Sequence, residues 1–499
     1  MPRSATRSSR SRQVLDQIDI PAKARELLGF PSLRPGQEDA IRTLMEGGDT
    51  LLVQPTGSGK SAVYQIAGNL LRGCTVIVSP LIALQKDQAE AIEASKLDET
   101  AVLNSTLSTA EQRDTFERIE KGEVEYIFLA PEQLRNRETI ERLRAARVSL
   151  FVIDEAHCVS QWGHDFRPDY LELSHVIDAL GRPTTLAMTA TASKDVREEI
   201  IQRLGLRSPR VIVHDFDRPN ISLRVDIFSK ASEKVDAVLR RVEFADKPGI
   251  VYVATHRNAE TIAADLKTRG IDAIFYHGGL KAKEREAIQD RFMCGDAPVI
   301  VATNAFGMGV DKPDIRFVYH ADVSESLDAY YQEIGRSGRD GKPAEAVLFF
   351  RARDIGAQQY KTGSGSVDTR ELESVVSALS DHDNRADPKE LSREIGISSR
   401  KLTNIVHKLE EVGVARKLDS GEIQVATRQS LPEITEAAAE QQESYKQLRK
   451  RCLEEMREYA ETRACRRAML LRHFGEEYAG PCGNCDRCEA RGFSAAHGN

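Results

Sequence analysis

Short apolar runs alternate with helix-periodic stretches along the first 350 or so residues. Runs at 50–53, 75–79, 126–129, 149–153 and 184–188 are mostly apolar, with any Thr or Ser at their ends, rather than alternating in polarity. That is the pattern of strands buried on both faces of a parallel sheet. The intervening stretches carry the helices that cover such a sheet. The pattern restarts after Asp217-Arg218-Pro219-Asn220, with runs at 249–253, 273–276, 299–302, 317–320 and 346–350. Two α/β lobes are therefore predicted, at 14–208 and 209–355, joined by a linker. A second connector at 356–369 contains Lys361-Thr362-Gly363-Ser364-Gly365-Ser366, a flexible composition.

The period changes over 370–427. Asp387 and Pro388 open a helix as N-cap and first-turn proline, with Glu390 at capping-box spacing. Leu391 and Ile395 form its apolar face, and Gly396-Ile397-Ser398-Ser399 makes a tight turn. Leu402, Ile405, Val406, Leu409 and Val412 then recur at helical spacing, ahead of a hairpin around Asp419-Ser420-Gly421. This is a helix-turn-helix with a wing. Arg400, Lys401 and Lys408 on its second helix suit DNA contact; a scaffold or protein-docking domain fits the same pattern. A helical segment at 428–491 follows, and tails at 1–13 (basic, disordered) and 492–499 flank the whole.

A length of 499 residues fits about three domains. The formal net charge of -7 excludes a globally basic nucleic-acid coat, but a motor can grip a strand in a local groove. The strongest basic excess, Lys446, Arg449, Lys450, Arg451, Arg457, Arg463, Arg466, Arg467 and Arg472, reads equally as a solvated helix surface. No apolar run reaches the roughly 18 residues that span a bilayer. The first twelve residues lack the apolar core of a secretory signal. Of the eight cysteines, Cys74, Cys158, Cys294 and Cys452 are scattered, whereas Cys465, Cys482, Cys485 and Cys488 cluster. In a cytosolic chain such clustering points to metal rather than disulfides.

Candidate chemistry sits at strand ends. Pro55-Thr56-Gly57-Ser58-Gly59-Lys60-Ser61 follows the first strand and opens a helix. Backbone N–H groups of Gly57, Ser58 and Gly59 can close on phosphates, Lys60 can neutralise them, and the Ser61 hydroxyl can reach Mg²⁺. The general pattern has glycine where this chain has Gln54. Asp154 and Glu155 end another strand, the first suited to the metal and the second to orienting or deprotonating water. The loop after them, 160–168, holds Trp162, the single tryptophan, beside His157, His164, Phe166 and Arg167, which suits bases or a polymer backbone. Thr189-Ala190-Thr191-Ala192-Ser193 could relay changes between sites. In the second lobe, Gln332-Glu333-Ile334-Gly335-Arg336-Ser337-Gly338-Arg339-Asp340 carries two arginines three apart, and a planar, permanent charge suits transition-state phosphate.

Taken in order from about residue 28 to 350, these segments resemble superfamily 2 helicases, specifically the RecQ family. Phe30-Pro31-Ser32-Leu33-Arg34-Pro35-Gly36-Gln37 resembles the family's leading motif, which implies that Gln37 reads the adenine edge. Ser79-Pro80-Leu81-Ile82-Ala83-Leu84 resembles a strand-contact motif, and Asp154-Glu155-Ala156-His157 the DEAH box. The 160–168 stretch resembles the aromatic-rich loop that couples DNA binding to ATP hydrolysis. Residues 301–311 resemble motif V and 332–340 motif VI, which assigns the arginine finger to Arg339 with Arg336 beside it. The cysteine cluster is similar to the family's zinc platform; its spacing alone also allows a [4Fe–4S] cluster.

The resemblance implies two RecA-like parallel-sheet lobes, then a small winged-helix-like domain, then a C-terminal helical zinc-binding segment. In the family's usual order zinc precedes winged helix; here the order is reversed. The 11 residues 489–499 are too few for the accessory helicase-and-RNaseD C-terminal domain. The implied activity is an ATP-dependent 3′–5′ DNA helicase of repair or recombination, with ATP, Mg²⁺ and Zn²⁺. Its partners would be single-stranded and tailed or forked duplex DNA, with single-strand-binding or recombination proteins as candidates and no membrane. A cytoplasmic monomer is expected, nucleoid-associated if bacterial. The alternatives are a translocase or remodeller that separates no strands, a DNA-binding regulator with a vestigial ATPase, and an RNA helicase. Replacing Trp162 with Ala is expected to cut the ratio of DNA-stimulated to basal phosphate release at least tenfold; an unchanged ratio in a steady-state assay would refute the coupling role.

Overall fold

The first lobe is built on a seven-stranded sheet. Its strands are β1 (Thr50–Val53), β2 (Cys74–Val78), β3 (Thr100–Leu103), β4 (Tyr126–Leu129), β5 (Val148–Ile153), β6 (Thr184–Thr189) and β7 (Arg210–Val213). They lie in the order β3-β4-β2-β5-β6-β1-β7, and every pair is parallel. These coordinates come from a computed structural model. It describes residues 18–493 apart from Thr56, Leu81, 96–98, 105–106, 161–166, Asp215, 308–309, 357–368, Asp383, 412–413, 419–420 and 426–430.

The continuous apolar runs are explained by burial on two faces. Leu51 and Val53 of β1 point into one core with Val76, Phe151, Ile153, Val196 and Ile200. Leu52 points into the opposite core with Val63, Ile77, Phe128 and Val152. The two strands that the sequence pattern did not predict are both edges. β3 is a four-residue strand, and β7 buries Ile212 while leaving Arg210 and Val211 exposed.

The second lobe repeats the plan with β8 (Ile221–Ile227), β9 (Gly249–Tyr252), β10 (Ala273–Tyr276), β11 (Val299–Ala302), β12 (Phe317–His320) and β13 (Ala344–Phe350). All pairs are parallel, in the order β10-β11-β9-β12-β13-β8. β8 also escaped prediction: as an edge strand it buries alternate residues, Ile221, Leu223 and Val225, instead of forming a solid apolar run. Gly249 is required where β9 meets β12, because a β-carbon there would fall 2.1 Å from the Phe317 ring.

The cysteine-bearing segment packs on this core. Cys485 bridges Leu223 of β8, Leu223 N donates to Asn484 O at 3.2 Å, and Arg224 pairs with Glu489 at 2.8 Å. Helix Arg466–His473 brings two arginines inside, correcting the view of this stretch as a solvated basic surface. Arg466, 0% exposed, forks onto Asp486 and donates to Tyr459 O at 2.6 Å. Arg467 reaches Asp217 and Ile221 O of the interlobe linker at 2.6 and 2.7 Å. Phe474 stacks on linker Phe216, centroids 4.5 Å apart, and lies 4.7 Å from Tyr331. Such ring pairs add about 0.5–1.5 kcal/mol each beyond their area burial. Arg197 of the first lobe donates to Phe474 O at 3.2 Å.

The chain divides into two compact units, one formed by both lobes with 458–499 and the other by 352–457. The division therefore cuts helix Leu431–Glu461 and does not coincide with the boundary expected at 427/428. The second unit has helices Thr369–Asp381, Pro388–Ile395 and Ser399–Glu411 with strands β14 (Arg385–Ala386), β15 (Ala415–Lys417) and β16 (Ile423–Val425). The strands are antiparallel, in the order β14-β16-β15. Val375, Leu379, Leu391, Ile405, Leu409 and Ile423 make its core. Asp387 caps its helix as expected, accepting from Lys389 N and Glu390 N. Lys401 is spent on an ion pair with Glu371, which weakens its case as a DNA contact. Most of the expected connector, Val412, and Asp419 and Ser420 of the hairpin lie outside the described residues.

Candidate functional site

The carboxyl ends of β5, β6 and β1 are neighbours, so the loops after them converge, as binding loops do in open α/β sheets. After β1, Gly57 and Gly59 take left-handed φ values of 77° and 78°, which only glycine adopts without strain. The turn delivers Lys60 as the first residue of helix Lys60–Leu70, whose N-terminus favours anions. Lys60 Nζ donates to Gln54 O at 2.8 Å and Pro55 O at 3.2 Å. Ser61 follows Lys60, one helical turn before Tyr64, whose hydroxyl donates to Gln88 Oε1 at 3.3 Å. Thr56 lies outside the described residues.

The leading segment is stitched to this loop. Arg34 Nη1 donates to Gly57 O at 3.0 Å, and Gln54 Nε2 to Pro35 O at 2.9 Å. Gln37 is buried; its Oε1 accepts from Arg34 N at 2.9 Å, and its Nε2 donates to Ser58 O and Gly59 O at 3.1 and 3.0 Å. The Gln37 amide thus ties the leading segment through Oε1 to the glycine-rich loop through Nε2, a role that sequence reasoning missed. The adjacent Gly59 was the available signal, since a glutamine can bridge to carbonyls that a glycine turn leaves open.

After β5, Asp154 is buried and Glu155 adopts φ 48° and ψ 45°. A non-glycine residue held there stores roughly 1–3 kcal/mol of strain. Glu155 N donates to Asp154 Oδ1 at 3.0 Å, and Tyr170 OH to Asp154 O at 3.0 Å. His157, fully buried, sits 3.3 Å from Glu155 Oε2 and 2.8 Å from Thr189 Oγ1. Thr189 in turn bonds Thr191 O at 3.1 Å. The Thr189–Ser193 stretch is therefore linked physically to the acid pair. Burial, then the neighbouring Glu155, push the Asp154 carboxyl up to about 7, and Lys60 pulls it back only in part. Burial lowers the Lys60 ammonium despite the attraction of Glu155 and Asp154.

Trp162, His164 and Phe166 lie outside the described residues. The loop that carries them is anchored at both ends. Ser160 bonds Glu199. Arg167 N donates to Cys158 O at 2.9 Å, and its guanidinium donates to Pro80 O at 3.1 Å. Arg167 is thus an anchor between two of the motifs.

The two motif VI arginines separate. Arg336 is buried in the second lobe near Tyr252, whose hydroxyl donates to Phe306 O at 2.9 Å. Arg339 donates to Val310 O at 3.1 Å and pairs with Asp311. Its Cδ lies 3.7 Å from where a β-carbon of Gly57 would stand. Arg339 thus faces the phosphate loop of the other lobe, and Arg336 does not. Burial, then Arg336, lower the Arg339 guanidinium.

The thiols of Cys465, Cys482, Cys485 and Cys488 lie within 4.8 Å of one another. Cys482 and Cys488 are 3.9 Å apart, and Asn484 N donates to Cys482 Sγ at 3.4 Å. Zn–S bonds of about 2.3 Å at tetrahedral angles place sulfurs roughly 3.8 Å apart, so the set fits one zinc ion. A cubane would bind each thiolate to a different iron and hold the sulfurs farther apart.

Three family models match the chain in this same order. They are DEAD/DEAH box helicase over 34–199, helicase conserved C-terminal domain over 233–341 and RecQ zinc-binding over 422–489. A probable ATP-dependent DNA helicase RecS from Bacillus subtilis is 36% identical over 471 residues, covering 94% of this chain and 91% of that protein. The chain belongs to the RecQ family of helicases. The ATP-dependent DNA helicase RecQ of Pasteurella multocida is 33% identical, and the match spans 97% of this RecQ-family chain but 65% of that longer protein. Residues of this chain left out of the RecS match are fewer than those of 370–427, so at least part of the winged-helix-like segment is shared with that relative. Solved structures show the same two-lobe fold. S. cerevisiae Dbp5 bound to RNA and ADP BeF3 has a TM-score of 0.53 at 18% identity, covering 70% of this chain and 92% of that one. Mycobacterium smegmatis helicase Lhr bound to ssDNA and AMP-PNP has a TM-score of 0.51 at 20% identity, covering 84% and 61%.

As a RecQ-family enzyme the chain carries a RecQ zinc-binding domain with a four-cysteine cluster. Elemental analysis of the purified protein is expected to find one zinc per chain, lost in Cys482→Ser, with no visible iron–sulfur absorption. Stoichiometric iron with sulfide would overturn the zinc assignment.

Proposed function

We propose that this chain is a DNA-stimulated ATPase that moves 3′ to 5′ on single-stranded DNA and unwinds duplex DNA in repair or recombination. The observation that carries the reading is the convergence of Lys60 and Asp154 with Arg339 from the opposite lobe. The names of the matched relatives support DNA as substrate, and the resemblance of the motif set supports the polarity.

Gly57, Ser58, Gly59 and Lys60 bind the triphosphate, while Gln37 holds their loop and faces the adenine side. Asp154 and the Ser61 hydroxyl are hard oxygen donors that fit Mg²⁺; bound there, the ion neutralises charge between phosphates. Glu155 orients and deprotonates the attacking water, with His157 fixing its carboxylate. Arg339 stabilises the developing phosphate charge and Arg336 braces motif V. Nucleotide thereby draws the lobes together, and hydrolysis releases them. His157, Trp162, His164, Phe166 and Arg167 make DNA binding permissive for hydrolysis. Grip on phosphates and bases is sequence-independent and weakens with salt.

A translocase that separates no strands is the second reading. Its support is the wing, whose strands β15 and β16 are three residues each, short for a strand-separating hairpin. Lys60→Ala is expected to abolish ATP turnover and unwinding together; retained unwinding would sink the site assignment. Wild-type protein on 3′-tailed, 5′-tailed and forked duplexes should unwind the 3′-tailed and forked ones, whereas ATP turnover without strand release favours the translocase.

The raised Asp154 carboxyl gives a pH signature. Its folded-state value, about 7, exceeds the ordinary carboxylate value, so the free chain loses this contribution to stability as pH rises toward 7. A metal needs the carboxylate, so protons compete below that point. Affinity for Mg·ATP should therefore climb by up to roughly tenfold per pH unit up to about 7 and then level. Fluorescent-nucleotide titrations from pH 6 to 8 with and without Mg²⁺ test this; a flat profile, or one Asp154→Asn leaves unchanged, counts against it.

A further inference from the structure

The linker sequence Asp217-Arg218-Pro219-Asn220 stands outside the nucleotide site, yet its side chains close on motif VI. Arg218 Nη1 donates to Gly335 O at 3.1 Å, and Nη2 donates to Ser337 O and Gly338 O at 2.9 and 3.0 Å. Asn220 Nδ2 donates to Gly338 O at 2.8 Å and Lys342 O at 2.9 Å. These carbonyls flank Arg336 and immediately precede Arg339. Gly338 shows how close the grip is: its φ is 58°, and a β-carbon would meet Asn220 Nδ2 at 2.4 Å. The linker is itself tied down on both sides of the clamp. Arg467 holds Asp217 and Ile221 O, Glu476 Oε1 accepts from Phe216 N at 3.2 Å, and Tyr331 OH donates to Phe216 O.

We propose that Arg218 and Asn220 are positioning residues for the arginine finger: the linker clamps the motif VI turn and so sets where Arg339 stands against the phosphate loop. A planar fork that spends its N–H groups on three carbonyls of one turn fixes orientation as well as distance. The linker joins the two lobes, so the clamp ties its course to the placement of Arg339. The proposal rests on the reading that Arg339 acts in hydrolysis.

The experiment compares wild type, Arg218→Lys, Asn220→Ala, Arg339→Ala and the Arg218→Lys/Arg339→Ala double variant in the full chain. Readouts are single-turnover phosphate release with DNA, steady-state kcat and KM for ATP, and the thermal midpoint. Arg218→Lys keeps the charge and loses the fork. It is expected to lower kcat roughly 10- to 100-fold, as a misplacement near 1 Å can, with KM and melting little changed. Asn220→Ala should show the same split in milder form. In the Arg339→Ala background, Arg218→Lys should add no further loss. Unchanged kcat in both linker variants, a multiplicative loss in the double variant, or a loss that follows melting overturns the clamp. Full turnover by Arg339→Ala overturns the finger reading and the clamp with it, whereas an inactive Arg339→Ala beside an active Arg218→Lys removes the clamp alone.

Discussion

Lys60, Asp154, Glu155 and Arg339 are held close together with their charged groups largely shielded from solvent. Burial drives Lys60 and Arg339 toward losing their protons and Asp154 toward keeping its own. Asp154 and Glu155 help to keep Lys60 charged and Lys60 does the same for Asp154, whereas Arg339 is held by Asp311 of its own lobe. Such a mix of buried acid and base suits an anion accompanied by a hard divalent cation. Strand order, glycine turns and helix N-terminus all serve to bring those groups to one place.

Because Arg339 approaches Gly57 from a different lobe, the geometry of this cluster depends on how the lobes meet as well as on each lobe alone. The C-terminal segment is part of that geometry. Phe474 stacks on the linker, His473 meets Asp328 of the second lobe at 2.8 Å, and Arg197 of the first lobe holds the Phe474 carbonyl. The zinc-binding module thus abuts the point about which the lobes would turn. Its buried Arg466–Asp486 pair joins the helix after the first cysteine to the short helix Asp486–Glu489, which Cys485 caps and Cys488 belongs to. Replacing such a pair with apolar residues often costs nothing, whereas removing one partner is strongly destabilising.

Much of this was legible in the chain. Solid apolar runs reveal central strands because both faces are buried, and glycines at 57 and 59 reveal a phosphate loop because few residues tolerate that backbone. Edge strands β3, β7 and β8 were not legible in the same way. β7 buries a single residue and β8 alternate residues, whereas β3 differs little in length or burial from central strands that were legible. Arg466 and Arg467 sat in a basic stretch and read as surface; their partners, Asp486 and Asp217, are distant in sequence. Gln37 matched a known motif, yet its bonds to Ser58 and Gly59 carbonyls depend on a fold that no local pattern records. Trp162, His164 and Phe166 stay with the sequence argument alone.

The cover on β8 has a consequence for how the protein is made. Val225 N meets a side chain 261 residues later in the chain, and Leu223 pairs with Cys485. During synthesis the second lobe emerges long before the segment that seals its outer strand. An unpaired edge is a template for pairing with other chains. Until those last residues arrive, the outer edge of the second lobe lacks the cover it has in the finished chain.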